Sequence, residues 1–484
     1  MTPPATTAPL TSQPRAVGEV PGQSGGPLAA VRRLRADPLT RLTQLRDEHG
    51  PIVRLSTWPV SAFLVSDPAV AADALVSGHR AYAKGAVVRG AGSRTNVTQP
   101  LTYLLGDGLL TSAGDVHRRQ RRLIQPLFHK HRIAEYGEQF VCVTDDTAAT
   151  WRDGQRLDLH AEMTEMTLGI VARTLFDVPL DDEVVTVVRD AVARNLPAAR
   201  RAALPGFTRV EQRPGGGPAR RRDSREALDR AVYEMIADRR ATGATGSDLL
   251  SLLLDTQDAD TGERMSDSQI RDEAMTLLLA GHETTANALA WTFHLLGEHR
   301  DVAARLHAEV DAVLGGRPPT FEDLPRLAYT NAVFSESMRL FPPVWAMGRH
   351  LVEDREVAGY LLPAGSTLVF SQWVIHRDER WWPDPTRFDP TRWLDADESG
   401  GTGQESTAGG PHAPGRPRFA YFPFGGGPRQ CIGNSFAVAE GVLALATIAR
   451  RWSFTAATGD PVVPEPLVTL RPKGGLPMIA HLRH

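Results

Sequence analysis

The amino-acid sequence predicts a mainly α-helical fold with a small β region, on three observations. Residues 266–299 carry a sustained helical pattern, and a helix of that length spans roughly 45–50 Å, enough to cross a whole domain. The run Phe436-Ala-Val-Ala-Glu-Gly-Val-Leu-Ala-Leu-Ala-Thr-Ile448 reads as a second helix, apolar enough to be buried all round. β-like patterning is confined to short stretches at residues 52–57, 61–66, 360–371 and 467–470.

Size and composition bound the reading. A chain of 484 residues holds about three average domains, or one large one. Hydrophobic residues make up 42% and charged residues 23%, which fits a globular protein with a sizeable core. A net charge of −3 argues against bulk nucleic-acid binding. The two cysteines, Cys142 and Cys431, lie far apart and imply no disulfide framework, so a reducing, cytoplasmic setting is expected. The Pro-, Thr- and Ala-rich start lacks the basic and apolar segments of a signal peptide, and residues 1–25 are expected to form a disordered tail. No run approaches the roughly 18–20 apolar residues of a membrane span, so the protein is expected to be soluble.

Taken in order, helical periodicity over residues 37–49 stops at Gly50-Pro51. The two β-like runs that follow, separated by Trp58-Pro59, read as a hairpin. A helix near residues 68–76 leads into an irregular stretch that reaches about Leu110. Then comes the strongly basic segment Gly114-Asp-Val-His117-Arg-Arg-Gln-Arg121-Arg-Leu-Ile-Gln-Pro126. His117 and Arg121 are four apart and share one helix face, and on spacing alone a solvated basic helix is the favoured reading. Residues 135–240 read as several helices, interrupted near Pro205 and at residues 214–218.

In the long helix, Ser266 and Gln269 form a plausible capping box. Its middle, Leu277-Leu-Leu-Ala-Gly281-His-Glu283-Thr284-Thr285-Ala, breaks local rules. A glycine inside a helix costs about 1 kcal/mol, and a charge with two threonines interrupts an apolar stretch. Rules of this kind tend to fail at functional sites, although a packing glycine beside surface polar groups is the plainer alternative. Residues 327–341 form a further helix, stopped by Pro342-Pro343. It is apolar on both faces, so Glu336 and Arg339 are expected to be a buried, fully hydrogen-bonded ion pair. Residues 397–417, rich in Gly, Ser and Pro, read as a mobile surface insertion.

The chain is organised around Cys431, in Phe422-Pro-Phe-Gly-Gly-Gly-Pro-Arg-Gln-Cys431-Ile-Gly-Asn-Ser-Phe436. Its sulfur sits just ahead of a helix N-terminus, where the dipole and unpaired N–H groups favour a thiolate. Most lone cysteines are inert, buried thiols. Against that reading stand the Gly/Pro-rich approach, which lets a large flat ligand near the main chain, and Arg429, whose charge suits an anionic ligand.

This stretch resembles the haem-binding signature of the cytochrome P450 monooxygenases, F-x-x-G-x-R-x-C-x-G, at Phe424, Gly427, Arg429, Cys431 and Gly433. The resemblance covers residues 27–484 and is of the soluble, actinobacterial type. It implies the P450 fold, a triangular helical prism around haem with a long central helix, as one haem domain over residues 26–484. It also implies haem b (iron protoporphyrin IX) with Cys431 as the axial iron ligand. Phe424 and Gly433 would contact the cofactor, and His117, Arg121, Arg349 and Arg429 would hold its propionates.

The family's A-G-x-[D/E]-T element is matched by Ala280, Gly281, Glu283 and Thr284. There the helix is kinked in the family, and Glu283 and Thr284 would deliver protons to dioxygen while bulk water stays out. The E-x-x-R motif is matched by Glu336 and Arg339, with Arg392 as the structural third partner. Thr391 stands where the family often has an acid. The pocket would be lined by Ala280, Val344, Trp345, Met347 and Leu476, the last in a β-turn whose tip touches substrate in the family.

The resemblance thus implies an O2-dependent monooxygenase of secondary metabolism, such as antibiotic biosynthesis. It would hydroxylate or epoxidise a lipophilic terpenoid, polyketide or fatty acid. No flavin or iron–sulfur segment is recognised in the chain, so electrons from NAD(P)H are expected to arrive through a separate ferredoxin and ferredoxin reductase. Arg118, Arg119, Arg122, Lys130 and Arg132 would form the basic docking face of a monomer. Two readings stay open beside it: a peroxide-using or isomerising haem-thiolate enzyme, and a non-catalytic haem sensor.

Overall fold

A computed structural model describes residues 14–22, 27–57, 61–84, 87–90, 93–96, 101–102, 105–177, 186–187, 189, 216–242, 248–257, 262–394 and 415–483. Helices dominate. They are α1 (Pro27–Ala36), α2 (Pro38–His49), α3 (Pro68–Ala72), α4 (Gly114–Ile124), α5 (Lys130–Ala149), α6 (Leu159–Phe176) and α7 (Gly216–Thr242). After these come α8 (Leu249–Asp255), α9 (Asp267–Glu298), α10 (Arg300–Leu314), α11 (Ala328–Leu340), α12 (Gln372–Ile375) and α13 (Asn434–Ala449).

The helix ends have local causes. Asp37 caps α2 by accepting from the Thr40 N–H at 3.1 Å, with Pro38 at the first helical position. At α9, Ser266 Oγ accepts from the Gln269 N–H, and Gln269 Oε1 accepts from the Ser266 N–H, the reciprocal box expected from the sequence. The N-terminus of α11 has no cap of its own. Glu309 of α10 serves instead, its carboxylate accepting from the Tyr329 and Thr330 N–H groups at 2.7 and 2.8 Å.

The β structure is small. β2 (Ile52–Ser56), β3 (Ala62–Val65), β4 (Tyr82–Ala83), β8 (Met347–Leu351) and β11 (Thr367–Phe370) make one sheet in the order β2-β3-β11-β8-β4. β1 (Arg15–Ala16), β9 (Arg355–Val357) and β10 (Tyr360–Leu362) make a second, ordered β1-β10-β9. β7 (Arg156–Asp158), β12 (Trp452–Ala456) and β15 (Pro477–Leu482) make a third, ordered β12-β15-β7. Two antiparallel pairs, β5 (Val87–Gly90) with β6 (Ser93–Asn96) and β13 (Pro464–Pro466) with β14 (Leu470–Pro472), complete it.

Several expectations are corrected. The N-terminal tail does not run free through residue 25. Arg15 and Ala16 pair in parallel with Tyr360 and Leu361, the Arg15 guanidinium lies over the Tyr360 ring, and Val20 is buried. The reason is tertiary: a short polar stretch docks where the edge of β10 offers free backbone groups. Residues 1–13 and 23–25 of that tail lie outside the described residues. So do Trp58-Pro59, Pro205 and residues 395–414, which hold nearly all of the expected insertion. The stretch before Leu110 is not wholly irregular, since it contains β4 and the β5–β6 pair. The strand expected at residues 467–470 begins only at Leu470, because the Leu467 N–H turns back to the Thr469 carbonyl.

The largest apolar cluster lies among α5, α6, α9, α11 and α13. Two close approaches fix its geometry. A Cβ at Gly441 of α13 would lie 2.3 Å from the Phe334 ring of α11, so only glycine lets these helices meet. Trp291 of α9 is fully buried and stacked on Phe341 at 4.1 Å, and its indole N–H donates to the Leu470 carbonyl. The α9 helix is thereby held between the helical core and the short strands.

Candidate functional site

The loop before α13 is shaped by its glycines. Gly427 has φ +64°, and a Cβ there would fall 1.8 Å from the Leu75 carbonyl oxygen, so the turn requires glycine. The Cys431 N–H donates to the Phe424 carbonyl at 2.9 Å, which closes the loop ahead of α13. Cys431 lies deep among protein atoms yet its surface is accessible, so its thiol opens on interior space. Burial pushes that thiol up, against a hydrogen bond from the Gly433 N–H and the positive charge of Arg121. A Cβ at Gly433 would meet only Phe128, at an ordinary 3.7 Å, so the protein's own packing does not demand glycine there.

Beside the loop gathers a group of cations. Arg121 Nη1 donates to the Gln430 carbonyl at 2.7 Å, and Arg429 Nη2 donates to the Ser112 carbonyl at 2.6 Å. Arg349 is buried and bonds the neighbouring Gly348 carbonyl. His117, on α4, is buried as well. Lys84 donates to the Leu110 carbonyl.

Burial and mutual repulsion both act on these groups. Burial, then the charges of Arg429, Arg121 and Lys84, push His117 down to about 3. Burial, then Arg429 and Arg349, bring Lys84 down to about 7. Arg429 is lowered to about 10 by burial, Arg349 and Arg121, and Arg349 to about 10 by burial. Among the described residues no carboxylate is ion-paired with any of the five, and Arg429 Nη1 is buried without an acceptor. Such a set calls for a multiply charged anion, and the two carboxylates of haem fit it.

The middle of α9 is the other stretch that the sequence singles out. From Ile270 to Leu296 the helix is buried except at Asp272, Ala280, Gly281, Glu283 and Thr284. Four of these five are the residues that match the A-G-x-[D/E]-T element. The carbonyls of Ala280, Gly281 and His282 each accept a hydroxyl, from Thr284 at 2.7 Å, Thr285 at 3.2 Å and Thr167 at 3.0 Å. Hydroxyl bonds of this kind compete with the helix ladder and favour bending. Gly281 also has a packing reason, since a Cβ there would lie 3.0 Å from Val171 of α6. Burial raises Glu283, while a hydrogen bond from Thr469 Oγ1 at 2.7 Å and the charge of Arg471 pull it down.

The expected pocket residues divide. Ala280 is accessible and Val344 half-buried. Met347 packs on the core of the five-stranded sheet, and its Cε would lie 3.5 Å from a Cβ at Gly425 of the cysteine loop. Two differ from expectation. Trp345 packs on the cluster around Leu42, Leu45 and Val374 and donates its indole N–H to the Leu467 carbonyl. Leu476 is 1% exposed within the main core, because the Asp158 carboxylate takes its N–H and its carbonyl accepts from the Leu159 N–H.

Glu336 and Arg339 are fully buried and joined by two bonds of 2.8 Å. Arg392 Nε lies 3.4 Å from Glu336, which also accepts from the Trp393 indole at 2.9 Å and the Asp389 N–H at 3.1 Å. Arg339 further donates to the carbonyls of His376, Pro385 and Arg387. Every strong acceptor and donor in the pair is thus engaged.

Sequence reasoning missed Lys84, Thr469, Asn287 and Glu440. Glu440 of α13 is fully buried facing Thr285, and burial pushes its carboxyl well up. For Lys84 a signal existed: it is one of only three lysines, with Lys130 and Lys473, in a chain whose Lys and Arg total 54.

Comparison with known proteins gives a consistent picture. Residues 24–477 match the family model described as Cytochrome P450. The chain is 39% identical over 462 residues to "Cyclooctatin synthase" of Streptomyces melanosporofaciens, covering 95% of each chain. It is 37% identical to "Cyclooctat-9-en-7-ol 5-monooxygenase" of the same organism, covering 93% of this chain and 92% of the relative. It is 35% identical to "Pentalenene oxygenase" of Streptomyces avermitilis, covering 87% and 88%. The crystal structure of the cytochrome P450DA heme domain superposes with a TM-score of 0.83 at 26% identity, over 96% of this chain and 98% of that one.

Proposed function

The chain belongs to the cytochrome P450 family, whose members are haem-binding monooxygenases, and we propose that its substrate is a terpenoid hydrocarbon or terpenoid alcohol, oxidised at a C–H or C=C bond. The substrate class is supported by relatives whose names specify pentalenene, an olefin, and cyclooctat-9-en-7-ol, an unsaturated alcohol. The observation that carries the site assignment is the set of buried and half-buried basic side chains beside the cysteine loop, ion-paired with no carboxylate among the described residues. His117, Arg121, Arg349 and Arg429 would hold the haem carboxylates, and Cys431 would supply a thiolate to its iron. Burial raises this thiol in the protein alone, and a bound metal cation would favour its thiolate form.

Haem held through a thiolate supplies dioxygen activation, with electron donation from sulfur assisting O–O cleavage. The protein supplies the rest. Thr284 presents a hydroxyl that can leave the Ala280 carbonyl and pass a proton into the interior space. Glu283, half-buried one residue away, brings protons to it. The apolar flanks of α9 exclude bulk water. Ala280, Val344 and Met347 border the substrate.

Electrons arrive from a ferredoxin and its NAD(P)H-dependent reductase. The docking face is α4, where a surface groove is lined by Asp115, Arg118, Arg119, Arg122, Met265 and Gln269. Among the described residues no helix is long and apolar enough to cross a membrane, and both cysteines are free, which supports work in the cytoplasm.

The test is a spectroscopic panel. Terpene olefins and alcohols, fatty acids and polyketides are titrated into the haem-loaded protein and the low-to-high-spin shift of the Soret band is followed. Terpenoids are expected to give saturable shifts and, with ferredoxin, reductase and 18O2, a product carrying one labelled oxygen. A shift and turnover confined to fatty acids or polyketides would overturn the substrate class.

A further inference from the structure

Glu283 ends a chain of side-chain hydrogen bonds that leads away from α9. Thr469 Oγ1 donates to Glu283 Oε1 at 2.7 Å, and Asn287 Nδ2 donates to Thr469 Oγ1 at 3.1 Å. Asn287 Oδ1 lies 2.9 Å from His160 Nε2. Asn287, one turn beyond Glu283 on α9, is fully buried, and Thr469 is nearly so. His160, in the first turn of α6, is half-buried.

The direction of these bonds is constrained. Thr469 has one hydroxyl hydrogen, and giving it to Glu283 leaves the oxygen to accept from the Asn287 amide N–H. The amide oxygen then faces His160, which must carry its hydrogen on Nε2. In this arrangement Glu283 is an acceptor, as a carboxylate is. A protonated Glu283 that donates to Thr469 reverses every bond: the hydroxyl turns to Asn287, the amide flips, and its N–H meets His160 Nε2 without a hydrogen. Neutral imidazole allows either arrangement, and doubly protonated imidazole allows only the first. An amide is a poor proton conductor, so the chain sets a direction and does not carry a current of protons.

We propose that His160, Asn287 and Thr469 are positioning residues that hold Glu283 as acceptor or free it as donor according to the hydrogen on His160 Nε2, an inference that rests on the assignment of Glu283 to proton delivery. Other charges face the two ends. Arg471 of β14, itself bonded to Glu465, favours the Glu283 carboxylate and opposes a charge on His160, whereas Asp158, the N-cap of α6, favours that charge. Burial, the largest influence on both, raises Glu283 and lowers His160, which moves their titrations toward one another.

The experiment is pH-difference infrared spectroscopy on the full-length, haem-loaded protein. It follows the protonated-acid carbonyl band that Glu283→Gln removes. In the parent this band should vanish in two steps as pH rises, and in His160→Phe in one. Thr469→Val should raise its midpoint by about one pH unit, the value of a hydrogen bond lost to a carboxylate, and Thr469→Ser should restore it. A Thr469→Val midpoint equal to the parent's, or one-step titration in both the parent and His160→Phe, overturns the proposal. The product formed per NAD(P)H in Glu283→Gln separates the two layers. If that ratio stays at the parent value, the role of Glu283 falls and this proposal with it. If it drops while Thr469→Val titrates like the parent, the hydrogen-bond chain alone is wrong.

Discussion

Arg121 Nη1 donates to the carbonyl oxygen of Gln430 at 2.7 Å, across 309 residues of sequence and one residue short of Cys431. The bond ties α4 to the cysteine loop and leaves the other guanidinium N–H groups for the haem carboxylates that Arg121 is proposed to hold. Arg121→Ala should cost about 2 kcal/mol, typical of a hydrogen bond to a charged group. It should also lower haem retention several-fold, read as the Soret-to-protein absorbance ratio after transfer to a haem-scavenging globin. Full retention with an unchanged denaturation midpoint would rule out this anchoring role.

Thr284 makes one hydroxyl bond, to the Ala280 carbonyl on its own helix, so its removal disturbs little of the fold. Thr284→Ala should change stability by less than about 1 kcal/mol. Substrate-induced spin shifts should be preserved, while several-fold more NAD(P)H electrons are diverted to peroxide. The readout is product and peroxide formed per NAD(P)H oxidised; parent-like coupling contradicts proton delivery through this hydroxyl.

Glu336 accepts two bonds from Arg339, one from Trp393 and one from the Asp389 N–H, all within the protein. Glu336→Ala leaves a buried guanidinium without its counter-charge and should cost about 3–5 kcal/mol. The chemical denaturation midpoint measures it. A loss below about 1 kcal/mol, the scale of a surface pair, would show that Arg339 finds compensation in the His376, Pro385 and Arg387 carbonyls.

What the sequence disclosed was contiguous. The cap of α9 at Ser266 and Gln269, the cysteine loop, and the Glu336–Arg339 pair each lie within a few residues, so local chemistry determines them. Arg392 and His117 were reachable only through the family pattern, because their partners are distant in sequence. Thr469 was not legible, since a threonine after a turn gains meaning only from what folds against it, and Lys84 stood out only through the rarity of lysine in the chain. The same holds for the docking of Arg15 and Ala16 beside Tyr360 and Leu361. Trp345 and Leu476 pack into neighbouring apolar clusters, because side-chain direction follows packing that the sequence does not show. At Cys431 the helix end was visible and the burial opposing it was not.

Glu273 and Asp272 tie the start of α9 to the segment before α4. The Leu109 N–H donates to Glu273 Oε2 at 2.9 Å, and the Asp107 N–H donates to Asp272 Oδ2 at 2.8 Å. Glu273 is fully buried. Burial pushes its carboxyl from 4.5 up to about 8; the Leu109 N–H works against this, and the charges of Asp272 and Asp107 add to it. With its folded value above the unfolded one, the native protein keeps a proton that the unfolded chain releases. The contribution to stability is therefore complete below about pH 4.5 and is lost as pH rises toward about 8, by about 1.4 kcal/mol per unit in between. Glu273→Gln keeps an oxygen acceptor for the Leu109 N–H and cannot ionise. Denaturation midpoints of parent and variant should coincide near pH 4.5 and separate in the variant's favour by pH 8. Parallel curves across that window would mean that Glu273 is already ionised in the native protein and that the bond from Leu109 outweighs its burial.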